Sequence, residues 1–290
     1  MSTRIPAATV CVPVYQGGAT LEATLRSVLA QTFDDYELVV LDNASTDASG
    51  DIARSFAALD PRVRVEVNAE TLPLQANFNR AVSHARAPLV KVLCADDLIR
   101  PRCLEIQVAA LAADPALSFV VSREDLVDAQ GRILAGSRFL QGFIGVRDHH
   151  DVVRRVVRHG ANPLGTVGGV LFRRSAFDAT GGFGGEAVVS DLDLFLRLLE
   201  HGPMRGLPES LAAFRIDAGT ITAGAQRHID TAQRVFTREL AARSGIGTPD
   251  RLLGVLRAPG GRVRRRAAYQ LAAFAQLRER LAARGASPVP

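Results

Sequence analysis

Acidic side chains recur where apolar runs end. Asp42 closes YELVVLD, the pair Asp96-Asp97 follows LVKVLC, and Asp191 and Asp193 open SDLDLFLRL just after the glycine-rich TGGFGG. Two adjacent carboxylates repel one another, and they are best tolerated when a cation sits between them and a phosphate. Hard oxygen donors facing a diphosphate suit Mg²⁺ or Mn²⁺. Asp42-Asn43 fits a ligand contact, and equally a turn or a helix cap. Asp191 fits a general base. With Ser190 it also fits an ordinary helix start, where caps and acids are at home. Taken one at a time, these residues leave both readings open.

The elements that must position them can be read from periodicity. Residues 8–14 (ATVCVPV) form a buried strand, with a turn at Gln16-Gly17-Gly18. Thr20 then caps a helix carrying Leu21, Leu25, Val28 and Leu29 at helical spacing. Strands are predicted at 36–41, 63–67, 88–94 and 117–122, with helices at 45–59, at 75–86 and after Pro101. This alternation with short links predicts an α/β fold, a Rossmann-like, mostly parallel sheet flanked by helices. Such sheets bind ligands beyond the carboxyl ends of their strands, where the acids fall. Residues 123–168 read as polar and irregular. They are followed by a strand at 168–174, a short helix and turn at 175–183, a helix at 190–202 closed by Gly202, and a strand at 211–216. From Gln226 the pattern is helical, with breaks expected at 245–249 and at Pro259-Gly260-Gly261. The expected organisation is one domain over 1–225, whose pattern changes after residue 122, followed by a basic helical tail over 226–290.

Composition narrows the function classes. The chain has 290 residues, 47% hydrophobic and 22% charged, which fits a folded domain and not a disordered one. No apolar run approaches the roughly 20 residues of a membrane span, and the first residues lack a signal-type apolar run. Three cysteines without metal-type spacing fit a reducing compartment. The expected location is therefore cytoplasmic, with peripheral contact at the inner membrane face as an option. The net charge of +5 is unevenly spread: residues 1–225 carry −4 and residues 226–290 carry +9. Within the tail, 263–285 can be drawn as an amphipathic helix with Leu271, Phe274, Leu277 and Leu281 on one side. Such a stripe packs on its own domain, on a second protomer as a homodimer, or on anionic lipid. Nucleic acid is not expected, since Tyr269 and Phe274 are the tail's main candidates for stacking.

The ordered blocks VCVPVY, LRSVLAQTF, ELVVLDNASTD, FNRAVSHARAPLVKVLCADDLIRP, GGVLFRRSAFDATGGF, SDLDLFLRL and LPESLAAFR resemble family 2 glycosyltransferases over roughly residues 7–222. The resemblance implies a GT-A fold, with 7–122 as the nucleotide-binding half and 123–225 as the acceptor-side half, and inverting transfer of a sugar from a nucleoside-diphosphate sugar, with a UDP- or dTDP-sugar expected. The acceptor would be a carbohydrate, lipid-linked or small-molecule hydroxyl, in polysaccharide or glycoconjugate synthesis. It assigns Pro13, Val14 and Tyr15 to the nucleotide, Asp42 to the pyrimidine edge, and Asp96 and Asp97 to a divalent metal and the diphosphate. Asp191 becomes the general base, while Ser45 and Asp47 shape the turn. Asn79 is expected to contact the nucleotide sugar, since it lies, like Asn77, beside a position where relatives carry an Arg next to the nucleotide; here that residue is Phe78.

Three departures stand out. Cys94 replaces the first Asp of the metal block, Ser190 replaces a Glu before the base, and Asp217 stands where relatives carry a His near the metal, so Asp217 is a candidate substitute ligand. The competing classes are a nucleotidyltransferase of sugar activation and a non-catalytic sugar-nucleotide-binding relative. The first normally opens on a glycine-rich loop followed by Arg and Lys, which VPVYQGGATLE lacks. The second has no need of a base at Asp191.

Overall fold

A computed structural model describes residues 4–216 and 226–285. The amino-terminal part alternates as expected: β1 (Ala8–Val14), α1 (Leu21–Leu29), β2 (Tyr36–Asp42), α2 (Ser49–Leu59), β3 (Val63–Val67), α3 (Leu74–Ser83), β4 (Leu89–Val92), β5 (Leu98–Ile99) and α4 (Cys103–Ala113). Then come β6 (Phe119–Val127), β7 (Ile133–Arg138), β8 (Gly145–Arg147), α5 (His149–His159), β9 (Val170–Arg173), α6 (Arg174–Thr180), α7 (Ser190–Leu198) and β10 (Met204–Arg215). Two helices close the described chain, α8 (Gln226–Arg243) and α9 (Thr248–Gly285).

One mixed sheet runs β3-β2-β1-β4-β9-β6-β10-β5, with β7 beside β6 and β8 beside β10. Its first four strands are all parallel. Beyond β4 the parallel expectation gives way: β9 runs antiparallel to β4 and β6, β10 is parallel to β6, and β5, β7 and β8 are antiparallel additions. The switch has a local cause at β6 and β7. A tight Asp128–Gly131 turn, with Gly131 at φ 79°, lets the chain double back without a helical crossover.

Strand composition explains the layers. In β1 every residue is buried, so the near-continuous apolar run serves two cores. Val10, Val12 and Val14 join a core with Leu21, Leu25, Phe56 and Leu104, from α1, α2 and α4. Cys11 joins Phe78, Val82, Val156 and Phe195, from α3, α5 and α7, on the other face. Each fully buried Val, Leu or Phe is worth about 1.5–3 kcal/mol relative to exposure. The second core also takes in Leu240, Ala241 and Ile246, so the chain just past Gln226 packs into the main body.

The expectation of irregular chain over 123–168 is corrected by the end of β6, by β7 and β8, and by α5. The β7 side chains are largely exposed, which hides its strand pattern. α5 is legible in retrospect: Val152, Val153, Val156 and Val157 form its buried stripe. The Asp148 carboxylate caps it, accepting from the Asp151 N–H at 2.8 Å, and Gly160 ends it at φ 66°.

A second correction concerns Pro259, through which α9 runs unbroken. A proline removes one helical hydrogen bond, and here its ring lies on an exposed face. On the opposite face α9 is pinned to α5 by backbone contact. A Cβ on Gly254 would overlap the Val157 carbonyl oxygen, and one on Gly160 would overlap the Gly254 carbonyl oxygen. Thr20 is a third correction. Its hydroxyl makes no cap bond and donates to the Ala95 carbonyl at 3.0 Å. Asp217, and the side chains of Leu271, Phe274, Leu277 and Leu281, lie outside the described residues.

Candidate active site

Register brings the carboxyl ends of three strands together. Val14 pairs with Asp42, so β1 and β2 end level, and Val92 pairs with Cys11, so the chain leaving β4 toward Asp96 runs on beside the end of β1. The loop after β1 is tied to the loop after β2. The Gln16 and Gly17 N–H groups donate to Ser45 Oγ (3.1 Å) and Ser49 Oγ (2.9 Å), and the Gly18 N–H donates to Asp47 Oδ2 (2.8 Å). Gln16 and Ala44 hold left-handed φ angles of 53° and 55° in these loops, local strain of the kind that gathers at functional sites.

Pro13 and Val14 are buried at the strand end, and Tyr15 is 54% exposed at the mouth. Asp42 is buried, and its Oδ1 accepts from the Ser45 N–H at 3.0 Å, so this carboxylate does serve its turn. Asn79 is fully engaged elsewhere. Its amide donates to the Phe183 carbonyl (2.9 Å) and accepts from the Phe183 N–H (2.7 Å), fastening α3 to the glycine-rich loop before α7. Phe78 packs edge-on against Phe183, with centroids 5.3 Å apart, and belongs to the core.

The acidic centre is held from two sides. Thr24 Oγ1 donates to the carbonyls of Ala95 (2.9 Å) and Asp97 (2.8 Å). The buried Arg215 donates its backbone N–H to Asp97 Oδ1 (3.0 Å) and its Nε to the Asp96 carbonyl (2.7 Å), and its guanidinium also binds the carbonyls of Asp128 and Ala129. This scaffold brings one ligand atom each from Cys94, Asp96 and Asp97 within 4.8 Å of one another. Asp97 Oδ2 is buried without a hydrogen-bond partner. Burial, and then the Asp96 charge, push the Asp97 carboxyl well above the usual carboxylate range. Burial likewise raises the Cys94 thiol, helped by Asp97, Asp96, Asp191 and Glu124. A buried carboxylate oxygen with nothing to bind is costly, and a divalent cation would answer both the orphan oxygen and the repulsion. These residues therefore fit such a group.

Asp191 lies close enough to this centre for its charge to help raise the Cys94 thiol. It is not the N-cap of α7; that position is Val189, and Asp191 sits within the first turn. Burial pushes its carboxyl up to about 6, partly offset by the nearby Val167 and Asp191 N–H groups and the Ser190 hydroxyl. Asp193 points elsewhere, into an ion pair with Arg197 at 2.9 Å. Of the residues predicted from sequence, Asp96, Asp97 and Asp191 share one electrostatic neighbourhood, and Pro13, Val14, Tyr15 and Asp42 line the adjoining strand ends.

Sequence reasoning missed what lies beneath. Glu124, on β6, is fully buried and accepts from the Thr166 N–H (2.7 Å) and hydroxyl (3.1 Å). A Cβ on Gly165 would overlap its Oε1, and one on Gly169 would sit 2.6 Å from that atom. Burial pushes this carboxyl up to about 8. Lys91, also fully buried, donates to Gln107 Oε1 and to the Val170 carbonyl, both at 3.1 Å, and burial lowers its pKa. A lone lysine inside the apolar run LVKVLC was the available signal.

Residues 9–181 match the family model for glycosyl transferase family 2. The chain is 31% identical over 243 residues to uncharacterized protein MT1568 of Mycobacterium tuberculosis, covering 80% of this chain and 75% of that one. It is 30% identical over 222 residues to the putative glycosyltransferase EpsE of Bacillus subtilis, covering 73% and 74%. Among solved structures, the mannosyltransferase PcManGT from Pyrobaculum calidifontis, in complex with GDP-Man and Mn²⁺, aligns with a TM-score of 0.61 at 22% identity, over 99% of this chain and 78% of that one. TarS 1–349 of S. aureus, in complex with UDP-GlcNAc, aligns at 0.60 and 16% identity, over 82% and 71%. These likenesses give the fold as GT-A. With the strand-end acids in place on that fold and the family match spanning them, the chain belongs to glycosyl transferase family 2 and is a glycosyltransferase.

Proposed function

We propose that this enzyme transfers a sugar, with inversion, from a nucleoside-diphosphate sugar to an acceptor hydroxyl. The observation that carries the reading is the Cys94-Asp96-Asp97 cluster at the strand ends, with the raised carboxyl of Asp191 near enough for its charge to act on Cys94. Asp191 takes the proton of the acceptor hydroxyl, the oxygen attacks the anomeric carbon, and the bond to the diphosphate breaks on the opposite side. One base on one face and one anion-holding centre on the other is the arrangement a single displacement needs. Asp96 and Asp97 would hold a divalent metal, Mg²⁺ or Mn²⁺ by the oxygen donors, and Asp217 is proposed as a further ligand. Such an ion supplies charge neutralisation for the departing diphosphate. Pro13, Val14, Tyr15 and Asp42 seat the nucleotide; Asn79 positions the loop that precedes the base.

A UDP- or dTDP-sugar remains the proposed donor, supported by UDP-GlcNAc in TarS, although PcManGT carries GDP-Man. The deciding experiment is a thermal-shift screen of UDP-, dTDP- and GDP-sugars with Mn²⁺, followed by transfer assays of Asp191→Asn and Asp193→Asn. Loss of a general base costs about 10²–10⁴-fold in turnover. Near-wild-type transfer by Asp191→Asn would remove it from the mechanism.

For the tail we propose docking on an anionic bilayer surface. Leu252, Val255, Leu256 and Val263 of α9 are 58–74% exposed. At about 100° per residue they share the face opposite the packed Gly254 and Ala258. The tail's excess of arginine suits anionic lipid. Among the described residues no helix is long and apolar enough to cross a membrane.

A further inference from the structure

Cys94 does not simply leave a gap where a carboxylate is expected. We infer that Cys94 Sγ is itself a metal ligand, and that it shifts the centre's preference from Mg²⁺ toward thiophilic and borderline cations such as Cd²⁺, Zn²⁺ and Co²⁺. The inference rests on reading the Asp96-Asp97 centre as a cation site and goes beyond it by naming the donor that selects the cation.

Geometry carries the argument. Metal–ligand bonds of about 2.0–2.5 Å allow two donors on one ion to lie at most about 4–5 Å apart. The Cys94, Asp96 and Asp97 ligand atoms all fall within 4.8 Å of one another. A single ion could therefore reach the sulfur and both carboxylates. Asp97 is 1% exposed, and its Oδ2 has no hydrogen-bond partner, so an acceptor already stands ready there. The other two thiols are occupied elsewhere: Cys11 donates to the Ala81 carbonyl at 3.3 Å and Cys103 to Gln107 Oε1 at 3.4 Å. Both are fully buried, whereas Cys94 is only half-buried.

Chemistry sets the consequence. Mg²⁺ demands near-octahedral oxygen donors and sheds water reluctantly, and a thiolate is a poor partner for it. Cd²⁺, Zn²⁺ and Co²⁺ accept mixed sulfur and oxygen sets. As the S–metal bond forms, the thiol proton passes to solvent.

The test titrates EDTA-dialysed wild type, Cys94→Ser and Cys94→Asp with Co²⁺, Cd²⁺ and Mg²⁺ separately. Wild type should develop a near-ultraviolet sulfur-to-cobalt charge-transfer band that both variants lack. Cd²⁺ affinity should fall in Cys94→Ser by at least the ~10–100-fold typical of losing even an outer-sphere partner. Cys94→Asp should bind Mg²⁺ more tightly than wild type. A parallel measurement spares the fold altogether: in wild type, Cd²⁺ should protect Cys94 from iodoacetamide, with Cys11 and Cys103 as buried internal controls. Co²⁺ bound without the band, or Cys94 alkylated equally fast with Cd²⁺, overturns the thiolate and leaves the cation site standing. No binding of any of the three cations, with or without UDP, overturns the cation reading and this inference together.

Discussion

Replacing Asp191 with asparagine should cost activity and add stability, with the second effect confined to one side of a pH window. Burial raises the folded carboxyl from 3.8 to about 6. The folded state therefore keeps a proton between these values that the unfolded chain has lost. Stability falls as pH rises through that window and stays low above it. Two units at 1.36 kcal/mol each give a ceiling of about 3 kcal/mol. Asparagine has no such titration, keeps an oxygen for the Val167 N–H and its own N–H, and leaves the N-cap position of α7, Val189, unchanged. The metal-free, donor-free variant should thus melt with wild type near pH 4 and above it at pH 8. At roughly 2–4 °C per kcal/mol, and with water at the crevice screening part of the penalty, the gain should be about 3–6 °C. Differential scanning fluorimetry across pH 4–8 measures it. In the same series, wild-type transfer should lose about tenfold per pH unit below a midpoint near 6, as the base protonates. A melting difference that is equal at pH 4 and pH 8, or a variant less stable at pH 8, would refute burial of an ionised Asp191 as the source of its activation.

Three other outcomes are expected. Asp97→Asn should leave the metal-free protein as stable as wild type or more so, since it removes a buried charge facing Asp96 and keeps an acceptor for the Arg215 N–H; calorimetry should show cation binding lost. Asp42→Ala should weaken nucleotide binding in titration calorimetry while near-ultraviolet circular dichroism stays native; unchanged affinity would leave Asp42 as a turn residue alone. Gly254→Ala should separate α9 from α5, because its Cβ meets the Val157 carbonyl, a backbone atom that cannot swing aside; limited proteolysis should then cut the tail faster, and cosedimentation with anionic vesicles should show whether the docked helix is what binds.

Much of this protein is local and was readable without the fold. The apolar runs of β1 and β2 read as strands because both of their faces are buried, and the acids at their ends marked the ligand crevice. Residue type alone placed two carboxylates after LVKVLC and a third in SDLDLFLRL. What the sequence could not decide was which polar residues are partners across long separations. Whether Asp191 is a cap or lies near the acidic centre depends on the Val167 turn lying against it. Asn79 is indistinguishable from a ligand contact until its amide is seen bonded to the Phe183 backbone, 104 residues away. Glu124 lies in the stretch read as polar and irregular, and neither it nor Lys91 was singled out, yet the sheet buries both against the 165–170 segment. Periodicity reports which face of an element is apolar. The burial that raises a carboxyl, orphans an oxygen or brings a thiol beside two acids is set by packing between elements, and only the tertiary structure contains it.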